Sequence, residues 1–128
     1  MRHASATVGA DQGLPTIPNW WENCAIQRNL SDAGREQARK VGEALRELSL
    51  PISEVKTSQF CRNLETARLM GFKSVTVTEE LNHPVGQRTG GPDVNIARYK
   101  HLTQVPKPGT NVLLVSHTQG SAKPAERM

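Results

Sequence analysis

The sequence has few aromatic residues, only two cysteines and no long apolar run. Two Trp, one Tyr and two Phe among 128 residues argue against the base-stacking surface that binds single-stranded nucleic acids. No stretch approaches the ~20 apolar residues of a membrane span, and the N-terminus lacks the apolar core of a signal peptide. Cys24 and Cys61 form no C-x-x-C pair. They therefore predict no disulfide framework and agree with a reducing compartment.

The charge is moderately basic. Lys and Arg number 16 against 12 Asp and Glu, which gives a formal net charge of +4. This balance suits either a soluble protein of ordinary charge or one that binds an anion, such as nucleic acid or a phosphorylated small molecule. The basic residues are scattered rather than clustered in a run, so charge alone does not choose between these.

The chain length fits one domain over residues 1–128. A helix is predicted to begin after an N-cap at Ser31 and to end before Pro51. Its apolar residues fall on one face at helical spacing: Ala38, Val41, Ala44, Leu45 and Leu48. A second helix is predicted from about Phe60 to Met70, closed by Gly71.

Three strands are predicted around these helices, at Ile52–Thr57 with Val55 buried, at Val75–Thr78 and at Val112–Val115. Residues 5–23 and 81–95 read as loops, and 96–103 as a short helix. The order is helix, strand, helix, strand, helix, strand, which is typical of an α/β fold.

Two histidines and two arginines lie where such a fold places functional groups. His117 follows the last strand, Arg62 opens the second helix, Arg28 precedes the first helix and His3 stands near the chain start. The carboxyl ends of parallel strands share one edge of a sheet. We therefore expect a cationic pocket in which arginine forks hold phosphate oxygens and an imidazole attacks phosphorus.

Several other chemistries lack their motifs. The sequence has no G-x-S-x-G, H-E-x-x-H or G-x-x-x-x-G-K-[ST] segment. The C-x5-R loop of cysteine phosphatases is also missing, because Leu30 and Ala67 stand where its arginine would be. The histidines lack the spacing of metal ligands, so no metal is expected; they are His3, His83, His101 and His117.

Four segments, in order over residues 2–117, resemble those of the histidine phosphatase superfamily, the phosphoglycerate mutase-like phosphohydrolases. Arg2-His3-Ala4 is similar to its Arg-His-Gly or Arg-His-Ala signature, and residues 28–38 are similar to its R-x-L-[ST]-x-x-G-x-x-Q-A segment. Residues 58–67 match S-x-x-x-R-x-x-E-T-A, and residues 115–117 match V-S-H. The resemblance implies the family's three-layer α/β sheet flanked by helices.

The resemblance also implies roles for individual residues. His3 is the implied nucleophile that forms phosphohistidine; Arg2, Arg62 and His117 surround the phosphate and Arg28 lies nearby. Gly34 is implied to let its helix approach the pocket closely. The resemblance leaves the proton donor open: in one branch of the family an acidic residue stands where Glu79 and Glu80 lie, and in others it lies beyond the second histidine. Solvated loop charge is the preferred interpretation of the two glutamates.

The resemblance predicts phosphomonoester hydrolysis without a cofactor or metal. The expected partner is a phosphorylated substrate, with no nucleic acid and no membrane. The family's first strand and its C-terminal elements are expected to be largely missing. His3 would then stand on a free terminus, and any export signal would have been lost upstream together with that strand. The alternatives are a catalytically impaired phosphate-binding remnant and, ranked last, a basic nucleic-acid-binding domain. Substrate identity, oligomeric state and compartment stay open.

Overall fold

The computed structural model describes residues 1–12, 16–82, 100–101 and 103–117. In these ranges the helices and strands are α1 (Asp32–Glu47), β1 (Ile52–Thr57), α2 (Cys61–Leu69), β2 (Thr76–Val77) and β3 (Asn111–Val115). Short 3-10 turns cover Trp20–Glu22, Cys24–Ile26 and Glu79–Leu81. Most of the loop predicted over 81–95 and of the helix predicted over 96–103 lies outside the described residues.

The three strands form a parallel sheet in the order β2-β1-β3. Thr57 at the end of β1 is aligned with Val77 of β2 and Val115 of β3. The strands therefore end at one edge, which α2 and His117 directly follow. This confirms the predicted α/β fold; β1 has the predicted bounds, whereas β2 is two residues long.

The first residues of the chain pair with β3. His3 donates its backbone N–H to the Ser116 carbonyl at 3.1 Å, and Ser116 donates to the Met1 carbonyl at 2.8 Å, in a parallel bridge. Ala4 follows in the hydrophobic core at 7% exposure. The expectation that His3 stands on a free terminus is therefore wrong, because the backbone of the first three residues is hydrogen-bonded to Ser116, directly after β3.

Helix α1 begins as predicted, with the Ser31 hydroxyl accepting from the Gly34 N–H at 3.0 Å. Ala38 is buried, but Leu48 is 70% exposed, and Ala44 is exposed as well. The buried face instead includes Gly34 and Gly42, where an added β-carbon would overlap the Ser5 and Met70 carbonyl oxygens respectively. In the described residues neither helix is long and apolar enough to span a bilayer.

The two cysteines form a disulfide, with Cα atoms 5.8 Å apart. The spacing of Cys24 and Cys61 had given no indication of this bond. The turn that carries Cys24 lies against the start of α2, where the Gln27 side chain accepts from the Cys61 N–H at 2.8 Å. Residues 37 apart in sequence thus meet beside Arg62, a proximity that local spacing does not encode.

Candidate active site

The strand ends bring together three of the predicted site residues. The Nε of Arg62 donates to the Nε2 of His3 at 3.3 Å, and the rings of His3 and His117 meet edge to face at 5.2 Å. His3 and Arg62 are both buried, at 6% and 3% exposure. Their positions follow from the fold, because the N-terminal segment, β3 and the start of α2 all reach the carboxyl edge of the sheet.

The hydrogen bonds of His3 define which nitrogen is reactive. Its Nδ1 lies 2.7 Å from the carbonyl oxygen of Ala4, which can only accept. Nδ1 therefore carries the proton, and Nε2 keeps a lone pair directed toward Arg62. A neutral imidazole whose Nε2 carries no proton is the form that can attack an electrophile.

Burial and charge keep His3 in that form. The pKa of His3 is lowered from its ordinary value of 6.5 to about 4, chiefly by burial and also by the positive charges of Arg62, Arg2 and Arg28; the hydrogen bond to Ala4 opposes the shift. At neutral pH the imidazole is therefore uncharged. The arginines that surround His3 make it available as a nucleophile as well as attracting anions.

This pKa shift predicts an acid-sensitive fold. Between pH 6.5 and 4 the unfolded chain binds a proton at His3 that the folded chain does not, so the free energy of unfolding falls as pH falls through this window. We expect His3 to account for a loss on the order of 1 to 2 kcal/mol between pH 7.5 and pH 5. Urea unfolding at the two pH values should show a smaller loss in His3→Gln; equal losses in the parent and the variant would contradict the expectation.

Arg62 is held on three sides. Its Nη1 donates to the Asp11 carboxylate at 2.8 Å and to the Arg28 carbonyl at 3.1 Å, while its guanidinium lies 4.4 Å from the centroid of the Phe60 ring. With its Nε on His3, the side chain has little freedom to turn. The pocket therefore contains an arginine whose orientation is fixed before any ligand arrives.

His117 is fixed by its own contacts. Its Nε2 lies 2.9 Å from the Ser58 hydroxyl, and its ring packs on Phe60 with centroids 4.8 Å apart. Ser58 directly follows β1, so the end of one strand orients the histidine that follows another. The sequence offered Ser58 as the first residue of a matching segment, but its contact with His117 was not predicted.

A cleft of about 340 Å³ opens beside His3. It is lined by Arg2, His3, Ser5, Ala6, Arg28 and Gln37. Gln37 accepts from the Ser5 N–H at 3.0 Å and so fixes the chain just after the histidine. The close approach of α1 at Gly34 to Ser5, predicted from the sequence, is confirmed.

The two acidic candidates lie in the turn after β2. Glu79 is exposed, whereas Glu80 is half-buried and accepts from His101 at 2.8 Å. A proton-donor role for either stays a prediction. In the described part of the chain no three His, Cys, Asp or Glu side chains are grouped to hold a metal ion. The acidic residue that does contact the site is Asp11, which sequence reasoning missed because a lone carboxylate in a loop has no motif.

Comparison with known proteins gives both a sequence and a structural match. The family model for the histidine phosphatase superfamily (branch 1) matches residues 24–83. The protein histidine phosphatase SixA, solved with tungstate, is 25% identical with a TM-score of 0.59. A SixA protein from Nakamurella multipartitia is 27% identical with the same TM-score. No curated protein matches the sequence.

A third solved structure is similar in fold only, because its sequence identity is low. A SixA protein from Agrobacterium tumefaciens is 18% identical, with a TM-score of 0.59. Each of the three matches covers 92% of this chain, but 67%, 56% and 66%, respectively, of the matched chain. The chain thus spans about two thirds or less of the length of these structures.

Proposed function

We propose that the chain, which matches the family model of the histidine phosphatase superfamily over residues 24–83 and resembles solved SixA structures, hydrolyses phosphomonoesters through a phosphohistidine intermediate on His3. The observation that carries the proposal is the His3 imidazole, whose Nδ1 is hydrogen-bonded to the Ala4 carbonyl and whose unprotonated Nε2 accepts from Arg62 beside further arginines. Neither a buried structural histidine nor a surface charge cluster requires this combination.

The proposed reaction has two steps. The lone pair of His3 Nε2 attacks phosphorus, the phosphorus–oxygen bond to the leaving group breaks, and the leaving oxygen takes a proton from Glu79 or Glu80. Water then attacks the phosphorus and gives a proton to the carboxylate left by the first step, the bond to Nε2 breaks, and phosphate leaves with the imidazole again neutral. Arg2, Arg62 and His117 stabilise the oxygens on which negative charge accumulates, with Arg28 supporting the bound phosphate.

A second substrate class is protein phosphohistidine. It is favoured by the two solved SixA proteins at 25% and 27% identity, one of which is named as a protein histidine phosphatase. The same pocket chemistry serves both substrates, since each presents a terminal phosphoryl group. A phosphohistidine peptide assayed beside p-nitrophenyl phosphate separates the two.

The test of the proposed site is oxyanion binding by the folded chain. Orthovanadate at a hundredfold excess over its Kd is expected to raise the free energy of unfolding by about 2.7 kcal/mol. The shift should be absent in Arg62→Ala, because the phosphate oxygens lose their forked donor. Thermal unfolding with and without vanadate measures the shift, and turnover of p-nitrophenyl phosphate is assayed in parallel.

Two further variants keep this test decisive. Arg68→Ala removes an exposed arginine from the same helix and should retain the full shift. Arg62→Lys keeps the charge without the fork and avoids leaving the Asp11 carboxylate unpaired; it should bind vanadate weakly. An equal shift in all variants would place the anion elsewhere. Vanadate binding without turnover would support the phosphate-binding remnant instead.

A further inference from the structure

Asp11 is a partly buried acidic residue that contacts two of the arginine-bearing segments of the site. Its Oδ1 accepts from the Arg62 Nη1 at 2.8 Å and from the backbone N–H of Arg28 at 2.8 Å. Only 13% of its side chain is exposed, against 4% for that of Arg62. One carboxylate oxygen of Asp11 thus connects the segment that carries Arg28 to the helix that carries Arg62.

The geometry of Arg62 shows what this contact does. A guanidinium is a planar fork, so directing Nη1 determines where Nε points. In this structure Nε points at Nε2 of His3. Among the residues that the structure describes, the other partner of Nη1 is a neutral carbonyl, that of Arg28. The charge-assisted bond to Asp11 is the stronger of the two, so Asp11 contributes most to that orientation.

We propose that Asp11 is a positioning residue that fixes Arg62 beside His3, where the guanidinium can donate to the oxygens of the phosphoryl group that His3 attacks. The proposal rests on the proposed function, because it assigns Asp11 a part in that same reaction. Asp11 also offsets the charge of Arg62, so removing it makes the pocket more positive. Loss of Asp11 should therefore leave anion binding intact or tighter while it slows the chemical step.

The test compares Asp11→Asn and Asp11→Ala with Asp32→Asn. Asp32 is a matched control, since its fully exposed carboxylate pairs with Arg35 on the outer surface of α1. We expect kcat for p-nitrophenyl phosphate to fall roughly tenfold in Asp11→Asn and roughly a hundredfold in Asp11→Ala, because small misplacements of a catalytic group have effects of this size. The Kd for orthophosphate should stay within about threefold or decrease, and Asp32→Asn should behave as the parent.

A second readout does not depend on turnover. The Nε–H resonance of Arg62, measured by ¹⁵N NMR, should shift in Asp11→Asn and stay unchanged in Asp32→Asn. A parent chain without turnover would contradict the proposed function, whereas an unchanged Arg62 resonance in Asp11→Asn would overturn the role of Asp11. An unchanged kcat in a folded Asp11→Ala variant would also overturn it, as would a loss of orthophosphate affinity as large as the loss of kcat.

Discussion

Replacing His3 by alanine is expected to abolish turnover of a phosphomonoester and to leave the protein unlabelled by a ³²P-substrate. The Nε2 of His3 is the proposed acceptor of the phosphoryl group, and its lone pair faces Arg62. Loss of a covalent nucleophile in other enzymes costs about six orders of magnitude in kcat. We therefore expect a loss of roughly four to six orders, measured as kcat/KM, together with loss of the labelled intermediate after rapid quenching.

Arg68→Ala, which removes an exposed side chain of α2, is the control for this prediction. The control should keep a label that is labile to acid and stable to base, as a phosphorus–nitrogen bond is. A label that survives in His3→Ala, or one that resists acid, would contradict a phosphohistidine on His3.

Replacing both cysteines by serine is expected to lower the free energy of unfolding by about 4 kcal/mol. The bond between Cys24 and Cys61 closes a loop across 37 positions of sequence. In the chain-entropy account, closing such a loop lowers the entropy of the unfolded chain and so raises the free energy of unfolding by about this amount. Small domains are stable by only about 5–15 kcal/mol, so the loss is a large share of the total. Urea unfolding of the parent and of Cys24→Ser/Cys61→Ser measures it.

Reductant provides the control for the disulfide prediction. Dithiothreitol should bring the parent to the stability of the double variant and should not affect that variant further. The bond also ties the turn before Arg28 to the residue before Arg62, so oxyanion binding should weaken along with stability. A difference below about 1 kcal/mol, or a reductant effect on the double variant, would contradict this account.

The regular elements were predictable where their end signals are local. The Ser31 cap, Pro51 and the Gly71 that follows α2 at φ 101° placed the ends of α1, β1 and α2 within a few residues. Such signals act through neighbouring backbone groups, so a single sequence carries them. Leu48 was misplaced because helical spacing continues past the point where α1 leaves the core.

The site was predictable as a set of residues but not as a network of contacts. His3, Arg62 and His117 could be named because they stand in recognisable segments and at strand ends. Asp11 and the cysteine pair could not, since their partners lie 51 and 37 positions away and no short pattern encodes such distances. The attachment of His3 to β3 is made by backbone hydrogen bonds, which any side chain permits.

The aromatic residues packed against the site, Trp20 and Phe60, provide an intrinsic fluorescence signal from the site. Trp20 is 3% exposed and its ring lies 4.7 Å from that of Phe60, which in turn packs on His117 and under Arg62. Because an indole in such a setting emits at shorter wavelength than one in water, Trp20 reports on the floor of the pocket. Intrinsic fluorescence can therefore follow both unfolding and oxyanion binding without any attached dye.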